Sequence, residues 1–113
     1  MQKGEIVLGY FPFGDAAAAK LRPLLLLTET VGTGTEVVAA YISSVIPSTL
    51  LTSDILLDSR QPQHQSTRLK VASVLRLHKI ATVHTDALQR YIGFISSTMQ
   101  QEVDAKLKMV LKL

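Results

Sequence analysis

Four consecutive leucines, Leu24 to Leu27, constrain the fold of this chain more than any other feature. The run has no polar alternation, so it predicts a strand that is covered on both faces. Pro23 has no backbone N–H and is tolerated at the first residue of such a strand, where one ladder hydrogen bond can be spared. Arg22 comes directly before it, and a guanidinium does not enter an apolar core without a partner. The sequence therefore predicts a buried strand with a fixed cation at its start.

Other segments also have strand composition, being rich in β-branched and aromatic residues between turn signals. The expected strands are Glu5–Phe11, the leucine segment, Val37–Ser43, a weak strand near Ile55–Leu57, and Ala72–Ile80 with Ala81–Thr85 as two strands or one bent strand. The first three are close enough in sequence to form a meander. Residues 12–20 are predicted to be a loop, and a mobile polar loop is expected after Leu57.

The last segment has a different period. In "STMQQEVDAKLKMVLKL" the apolar residues recur at helical spacing, and Ser97 with Gln100 fits a capping box. Lysines near the C-terminus suit the helix dipole. We therefore expect a mainly β fold of antiparallel strands, a small curved barrel with a C-terminal α-helix packed on it.

Composition excludes several classes of protein. The 113 residues are the size of one domain, and the absence of cysteine excludes disulfide scaffolds and cysteine-based metal sites. The three histidines have no carboxylates at ligand spacing, so no metal site and no cofactor is predicted. The "GTG" of the glycine-rich turn lacks the rest of a dinucleotide-binding fingerprint and is interpreted as a hairpin turn.

Charge and hydropathy indicate where the protein acts. The net charge of +3 is a mild bias toward anionic partners. The N-terminus turns polar too soon for a signal peptide, and the apolar runs are far shorter than a membrane span. We expect a soluble, cytoplasmic protein without membrane contact.

Two positions are candidates for phosphate binding. Arg22, fixed by Pro23, has the planar guanidinium that binds phosphate bidentately, but a salt bridge to Asp15 or Glu36 explains it equally well. Ser43 and Ser44 end a predicted strand. They are either ordinary strand terminators or hydroxyls that bond a phosphate oxygen beside a basic groove.

Five segments in order resemble the MazF/PemK family, toxins of bacterial toxin–antitoxin pairs that act as RNA endonucleases. They are "KGEIVLGYFPFGD", "KLRPLLLLT", "VVAAYISS", "ASVLRLHKIATV" and "IGFISSTMQQEVDAKLKMVLKL". The resemblance covers nearly the whole chain except about residues 48–70. It implies one MazF/PemK-like domain over residues 1–113, with an SH3-like barrel and a C-terminal helix, working as a homodimer.

The resemblance also implies an activity. The family cleaves single-stranded RNA, often mRNA, at short sequences without a metal, and leaves a 2′,3′-cyclic phosphate and a 5′-hydroxyl. It is inhibited by a cognate antitoxin. The family's catalytic arginine falls on Arg22, and its catalytic threonine or serine falls on Ser43, with Ser44 the near alternative.

The remaining roles follow from this chemistry. Arg22 is expected to stabilise the charged phosphorane and Ser43 to bond a nonbridging oxygen, while the base that takes the 2′-hydroxyl proton is open, with His64 one candidate. Bases of the RNA are expected to stack and be read in the groove. The predicted RNA-binding residues are Phe13, Lys20, Ser44, Arg60, His64 and Arg68.

One departure and two alternatives accompany this prediction. Ala16 to Ala19 stand where many relatives have small polar residues, which removes hydroxyls that would touch RNA. The first alternative is a non-enzymatic, CcdB-like poison of the same fold that binds a protein such as DNA gyrase through its terminal helix. The second is an inactive interaction module. Retention of Arg22 and Ser43 favours the nuclease.

Overall fold

The computed structural model describes residues 1–12 and 20–113. Within these ranges the chain forms six β-strands, one α-helix and two short 3₁₀ helices at Pro62–Thr67 and Thr85–Ala87. The strands are β1 (Glu5–Tyr10), β2 (Leu21–Leu26), β3 (Glu36–Ser43), β4 (Asp54–Leu57), β5 (Ser73–His84) and β6 (Leu88–Phe94), and the helix is α1 (Ser97–Leu111). No helix in the described ranges is long and apolar enough to cross a membrane.

The strands form one antiparallel sheet in the order β4-β5-β3-β2-β1-β6. The predicted meander is confirmed, because β1, β2 and β3 are neighbours in sequence order. Among the described residues β4 and β6 do not pair with each other, so the sheet curves without closing. The predicted mainly β class with a C-terminal helix is therefore confirmed, and the barrel is an open one.

The leucine strand separates two apolar clusters, as its lack of alternation predicted. Leu25 and Leu27 point to one face and Leu24 and Leu26 to the other, and all four are buried. The helix-side core contains Ile6, Leu25, Leu27, Ala40, Ile42, Leu75, Leu77, Met99 and Val103 with their neighbours. The second core contains Val7, Phe11, Leu24, Leu26, Val37, Ala39 and Val83.

The second half of the chain differs from the prediction in one strand. Residues 73–84 form a single bent strand, which was one of the two predicted alternatives, and a bulge bends it: Ala40 pairs with Ile80, whereas Tyr41 pairs with Arg76. Strand β6 was not predicted at all. Its Tyr91, Ile92 and Phe94 are typical strand residues, and they were the signal that could have identified it.

The polar segment after β4, expected to be a mobile loop, has defined structure. Its 3₁₀ helix buries Thr67, and Leu69 joins the helix-side core. Ser66 Oγ donates a 2.7 Å hydrogen bond to the Phe94 carbonyl of β6. A Cβ at Gly93 would lie 2.4 Å from the Ser66 carbonyl oxygen, so only glycine lets the two backbones approach this closely.

The C-terminal helix begins one residue earlier than the capping box predicted. Ser96 is the N-cap, and its side chain accepts a 3.1 Å hydrogen bond from Met99 N–H. The capping box of Ser97 and Gln100 is therefore wrong, because Gln100 instead donates to Asp104 one turn later. Met99 and Val103 are buried in the helix-side core, so the predicted apolar face is confirmed.

Candidate functional site

The register of β2 and β3 brings the two predicted catalytic residues to the same end of the sheet. Leu24 pairs with Tyr41, and continuing that antiparallel register by two residues sets Arg22 opposite Ser43. Alternation along each strand places both on the face of the second core, since Leu24 and Ala39 belong to it. The β2–β3 ladder therefore directs two residues that are 21 positions apart in the sequence to the same end of the sheet.

Arg22 is half-buried, and its Nη1 donates a 3.2 Å hydrogen bond to the carbonyl of Leu21. No ion pair to it is found among residues 1–12 and 20–113. Of the two proposed salt-bridge partners, Glu36 begins β3 at the opposite end, roughly 20 Å away along the strand. Asp15 lies outside the described residues. The salt bridge to Glu36 is thus excluded.

The two serines differ in their surroundings. Ser43 is buried, and its hydroxyl both accepts from the N–H of Val45 at 3.1 Å and lies 3.2 Å from the Val45 carbonyl. This local turn explains why a serine ends the strand. Ser44 is exposed. The neighbouring Ser43 therefore has the fixed hydroxyl, and Ser44 has the accessible one.

An aromatic pair and a lysine lie beside this strand end, and sequence reasoning assigned neither Tyr41 nor Lys79 to the site. The rings of Phe11 and Tyr41 are 5.7 Å apart with an interplanar angle of 37°. Lys79 Nζ lies 5.7 Å from the centroid of the Tyr41 ring. The β5 bulge is what offsets Lys79 from the regular ladder opposite Tyr41. These groups add a cation and an aromatic surface next to Arg22 and Ser43.

A buried ion pair continues the same face toward β4. Arg76 Nε lies 2.9 Å from Asp54 Oδ1, and the Asp54 side chain is fully buried. The guanidinium N–H is not aligned with that oxygen, so the contact is ionic without being a hydrogen bond. Asp54 Oδ2 accepts from Leu51 N–H at 2.8 Å, and Lys106 of α1 donates to the Asp54 carbonyl. These contacts with the surrounding protein hold the Arg76–Asp54 pair in place, so the pair has a structural role.

Histidine contributes little positive charge here. Burial lowers the pKa of His78, and the nearby charge of Arg76 lowers it further. At neutral pH His78 is therefore neutral, and the cations of this face are lysine and arginine.

The predicted RNA-binding residues do not form one cluster. Arg60 is bound to Asp58 through contacts of 2.8 to 3.2 Å, and His64 Nδ1 accepts a 3.1 Å hydrogen bond from Asp58 N–H. Arg68 caps the 3₁₀ helix in the left-handed region at φ 55°. Lys20 is exposed just before β2. Phe13 and Ala16–Ala19 lie outside the described residues.

The described residues contain no group of three or more side chains that could hold a metal ion. Hydrogen bonds can be donated by the side chains of Arg22, Ser43, Ser44 and Lys79. Two of these, Arg22 and Lys79, also carry a positive charge. The arrangement can bind and stabilise an anion with the protein's own groups.

Comparison with known proteins gives a consistent result. The family described as "PemK-like, MazF-like toxin of type II toxin-antitoxin system" matches residues 2–111. No curated protein sequence matches the chain significantly.

Several solved structures share the fold. The Mycobacterium tuberculosis toxin MazF-mt6 is 21% identical, with a TM-score of 0.74 over 96% of this chain and 97% of that one. A MazE-MazF structure from Deinococcus radiodurans has 17% identity and a TM-score of 0.74 over 100% and 97% of the two chains. An endoribonuclease in complex with its cognate antitoxin, from a mycobacterial species, has 15% identity and a TM-score of 0.72 over 100% and 96%.

Proposed function

Because the chain belongs to the PemK-like, MazF-like toxins of type II toxin–antitoxin systems, we propose that it is a sequence-specific endoribonuclease that cleaves single-stranded RNA without a metal. The observation that carries the proposal is that Arg22 and Ser43 each lie two residues beyond the last β2–β3 pair, Leu24 with Tyr41, at the same end of the sheet. The family generally consists of endoribonucleases, so its activity sets the reaction class. The described side chains supply the chemistry.

In the proposed reaction the 2′-hydroxyl oxygen of one nucleotide attacks the adjacent phosphorus. The bond to the 5′-oxygen of the next nucleotide breaks, which leaves a 2′,3′-cyclic phosphate and a 5′-hydroxyl. One proton leaves the 2′-oxygen and one joins the 5′-oxygen. Negative charge builds on the nonbridging oxygens between these events, and fixed donors at that point lower the barrier.

Arg22 is proposed as the electrostatic stabiliser. Its guanidinium is held at the rigid start of β2 and is half-buried, which strengthens its attraction for the phosphorane. A guanidinium is a poor proton donor at its usual pKa, so Arg22 binds charge rather than transferring a proton.

Ser43 is proposed to donate its hydroxyl proton to a nonbridging oxygen. It would exchange its donation to the Val45 carbonyl for the phosphate while still accepting from Val45 N–H. This exchange turns the hydroxyl without moving the strand. If the hydroxyl stays with Val45, the exposed Ser44 takes the role.

The proposal assigns no residue as the general base. The hydrogen bond that His64 accepts limits the role of this histidine. Its Nδ1 accepts from Asp58 N–H, so in the neutral ring the proton is on Nε2. That nitrogen donates rather than accepts. His64 is therefore a better donor to RNA than a base for the 2′-hydroxyl.

The proposed path of the RNA follows the second-core face. Lys20 and Lys79 attract phosphates, and the Phe11–Tyr41 pair provides aromatic surface beside the scissile position. We further propose a homodimer inhibited by an acidic antitoxin. The β3–β4 connection supports an interface, since Val45 is 77% exposed and Ile46, Leu50 and Leu51 are also exposed.

The test is to incubate purified protein with a long RNA and excess chelator and to map the new 5′ ends. The expected result is a small set of specific cuts with 5′-hydroxyl ends, which Arg22→Ala abolishes. Lys108→Ala is the control, because it also removes one cation but from the exposed surface of α1, away from the proposed site. Intact RNA together with arrested growth of the host would favour the CcdB-like alternative.

A further inference from the structure

A cavity of about 400 Å³ lies on the other side of the sheet from Arg22 and Ser43. Its walls come from β1, β2, β6 and the segment at residues 68–73. Leu8 and Pro23 form part of the floor and are paired across β1 and β2. Because Pro23 alternates with Arg22 along β2, the cavity and the proposed catalytic pair face opposite ways.

The lining combines charge of one sign with an apolar wall. Arg68, Lys70 and Arg90 are its cations, and no carboxylate of residues 1–12 or 20–113 lines it. None of these three takes part in an ion pair with any residue of the described ranges. Leu69 and Ile92 supply apolar surface. A pocket with these properties fits a ligand that has both an anionic group and a flat apolar body.

The apolar wall is available for the flat body of such a ligand. Leu69 and Ile92 form this wall beside Arg90, which pairs with Leu8 of the cavity floor. Tyr91 also borders the cavity, but it pairs with Val7 of the second core, so alternation directs its ring to the other face of the sheet.

The cavity wall is held in place by contacts of its own. Ser59 Oγ donates a 2.6 Å hydrogen bond to the Leu69 carbonyl, and Ser66 Oγ donates to the Phe94 carbonyl. Gly93 lets the backbone at Ser66 and Thr67 pack directly on β6. The two sides of the cavity are thus fixed before any ligand arrives, which lowers the entropic cost of binding.

We propose that this cavity binds one nucleotide, with the phosphate among Arg68, Lys70 and Arg90 and the base against the apolar wall of Leu69 and Ile92. The nucleotide is either a unit of the RNA strand outside the cleaved step or a free nucleotide. The first source rests on the proposed function, whereas the chemistry of the cavity is independent of it.

The test follows backbone amide resonances of the full chain by NMR during titration with two probes. One is millimolar AMP or UMP, and the other is a 2′-O-methyl oligonucleotide, which lacks the attacking hydroxyl and cannot be cleaved. The proposal expects saturable shifts at residues 68–73 and 90–92. If only the oligonucleotide shifts these resonances, the cavity binds a unit of the RNA strand. If only the mononucleotides shift them, the cavity binds a free nucleotide.

Variants make the assignment specific. Arg90→Ala should weaken nucleotide affinity at the cavity about ten- to a hundred-fold, the value of one charged hydrogen bond. Tyr91→Leu should leave it unchanged, because Tyr91 pairs with Val7 and faces the other side of the sheet. Lys108→Ala, which removes an exposed cation of α1 outside the cavity, is the second control.

The proposal is overturned if neither probe shifts these residues, if the shifts appear only around Arg22 and Ser43, or if an acidic peptide binds here and nucleotides do not. Failure of the proposed function looks different. In that case RNA stays intact with wild-type protein, while mononucleotide shifts at the cavity are unaffected. Arg22→Ala should likewise leave the cavity shifts unchanged.

Discussion

Two arginines on the same face of the sheet are held in opposite ways. Arg76 lies against the fully buried carboxylate of Asp54 and is itself 18% exposed, whereas Arg22 is hydrogen-bonded to the carbonyl of its own neighbour, Leu21. The first guanidinium has its charge neutralised within the framework. The second guanidinium has no ion pair within residues 1–12 and 20–113, so its charge is available to the proposed ligand. Both side chains carry the same charge, so the charge alone does not distinguish a structural arginine from a functional one. The group that each guanidinium contacts does distinguish them.

Arg60 is an intermediate case. It is paired with Asp58, but its side chain is 85% exposed. An exposed pair is screened by water and salt and contributes little to stability. Three arginines in one small protein therefore represent a framework ion (Arg76), a proposed ligand-binding ion (Arg22) and a surface ion (Arg60).

The largest expected effect belongs to the framework ion. Asp54→Ala should lower the free energy of unfolding by about 3–5 kcal/mol, because it leaves Arg76 buried without its counter-charge. Urea denaturation measures this loss. A double variant, Asp54→Val with Arg76→Leu, should recover most of it, since an apolar pair has no charge to desolvate. If Asp54→Ala is as stable as wild type, the ion pair of Arg76 does not stabilise the fold, and the proposed difference between Arg76 and Arg22 is wrong.

The next effect separates binding from stability at Arg22. Arg22→Lys keeps the charge but loses the two-pronged geometry, so RNA cleavage should fall about ten- to a hundred-fold. The free energy of unfolding should stay within about 0.5 kcal/mol of wild type. Single-turnover cleavage and urea denaturation of the same preparation test both halves. A large loss of stability would assign Arg22 to the framework instead.

A smaller effect distinguishes the two serines. Ser43→Ala should cost about 1 kcal/mol of stability, because the buried hydroxyl bonds the Val45 backbone, whereas Ser44→Ala should cost less than about 0.5 kcal/mol. The cleavage rate then decides which hydroxyl acts on the phosphate. Normal cleavage by both variants would remove the hydroxyl from the proposed mechanism.

The smallest effect concerns the surface ion. The Arg60 side chain, through its hydrogen bonds, lowers the pKa of Asp58 from 3.8 to about 2. Since the folded pKa is the lower one, the stabilisation by this pair is present above pH 3.8 and is lost as the pH falls through about 2. Arg60→Ala should return the Asp58 pKa toward 3.8, as followed by carboxyl NMR, with little change in stability at neutral pH. An unchanged pKa would contradict the assigned cause.

Much of this comparison could not be predicted from the sequence. The leucine run identified β2 and its two covered faces, and the strand before Pro12 and the C-terminal helix followed from composition and period. The pairing of Arg76 with Asp54 depends on the register of β4 and β5 and on a bulge, which local patterns do not encode. The position of Lys79 over the Tyr41 ring likewise depends on the β5 bulge and could not be predicted from local patterns.

The positions of the candidate site residues show a similar division. Arg22 and Ser43 were chosen from local chemistry and family resemblance, and the structure places both at the same end of the β2–β3 ladder, two residues beyond its last pair. Arg60, His64 and Arg68 were chosen for their charge in a loop expected to be polar and mobile. That loop instead folds against β6, so Arg60 and His64 are bound to Asp58, and Arg68 lines a cavity on the other face.

The close approach of the 3₁₀ segment to Gly93 also bears on self-association. An open sheet offers two unpaired rims to other chains, and long flat rims are templates for aggregation. Here β4 is only four residues long, and on β6 the Ser66 hydroxyl occupies the Phe94 carbonyl while backbone covers Gly93. The contact that shapes the cavity therefore also protects the β6 edge from pairing with another chain.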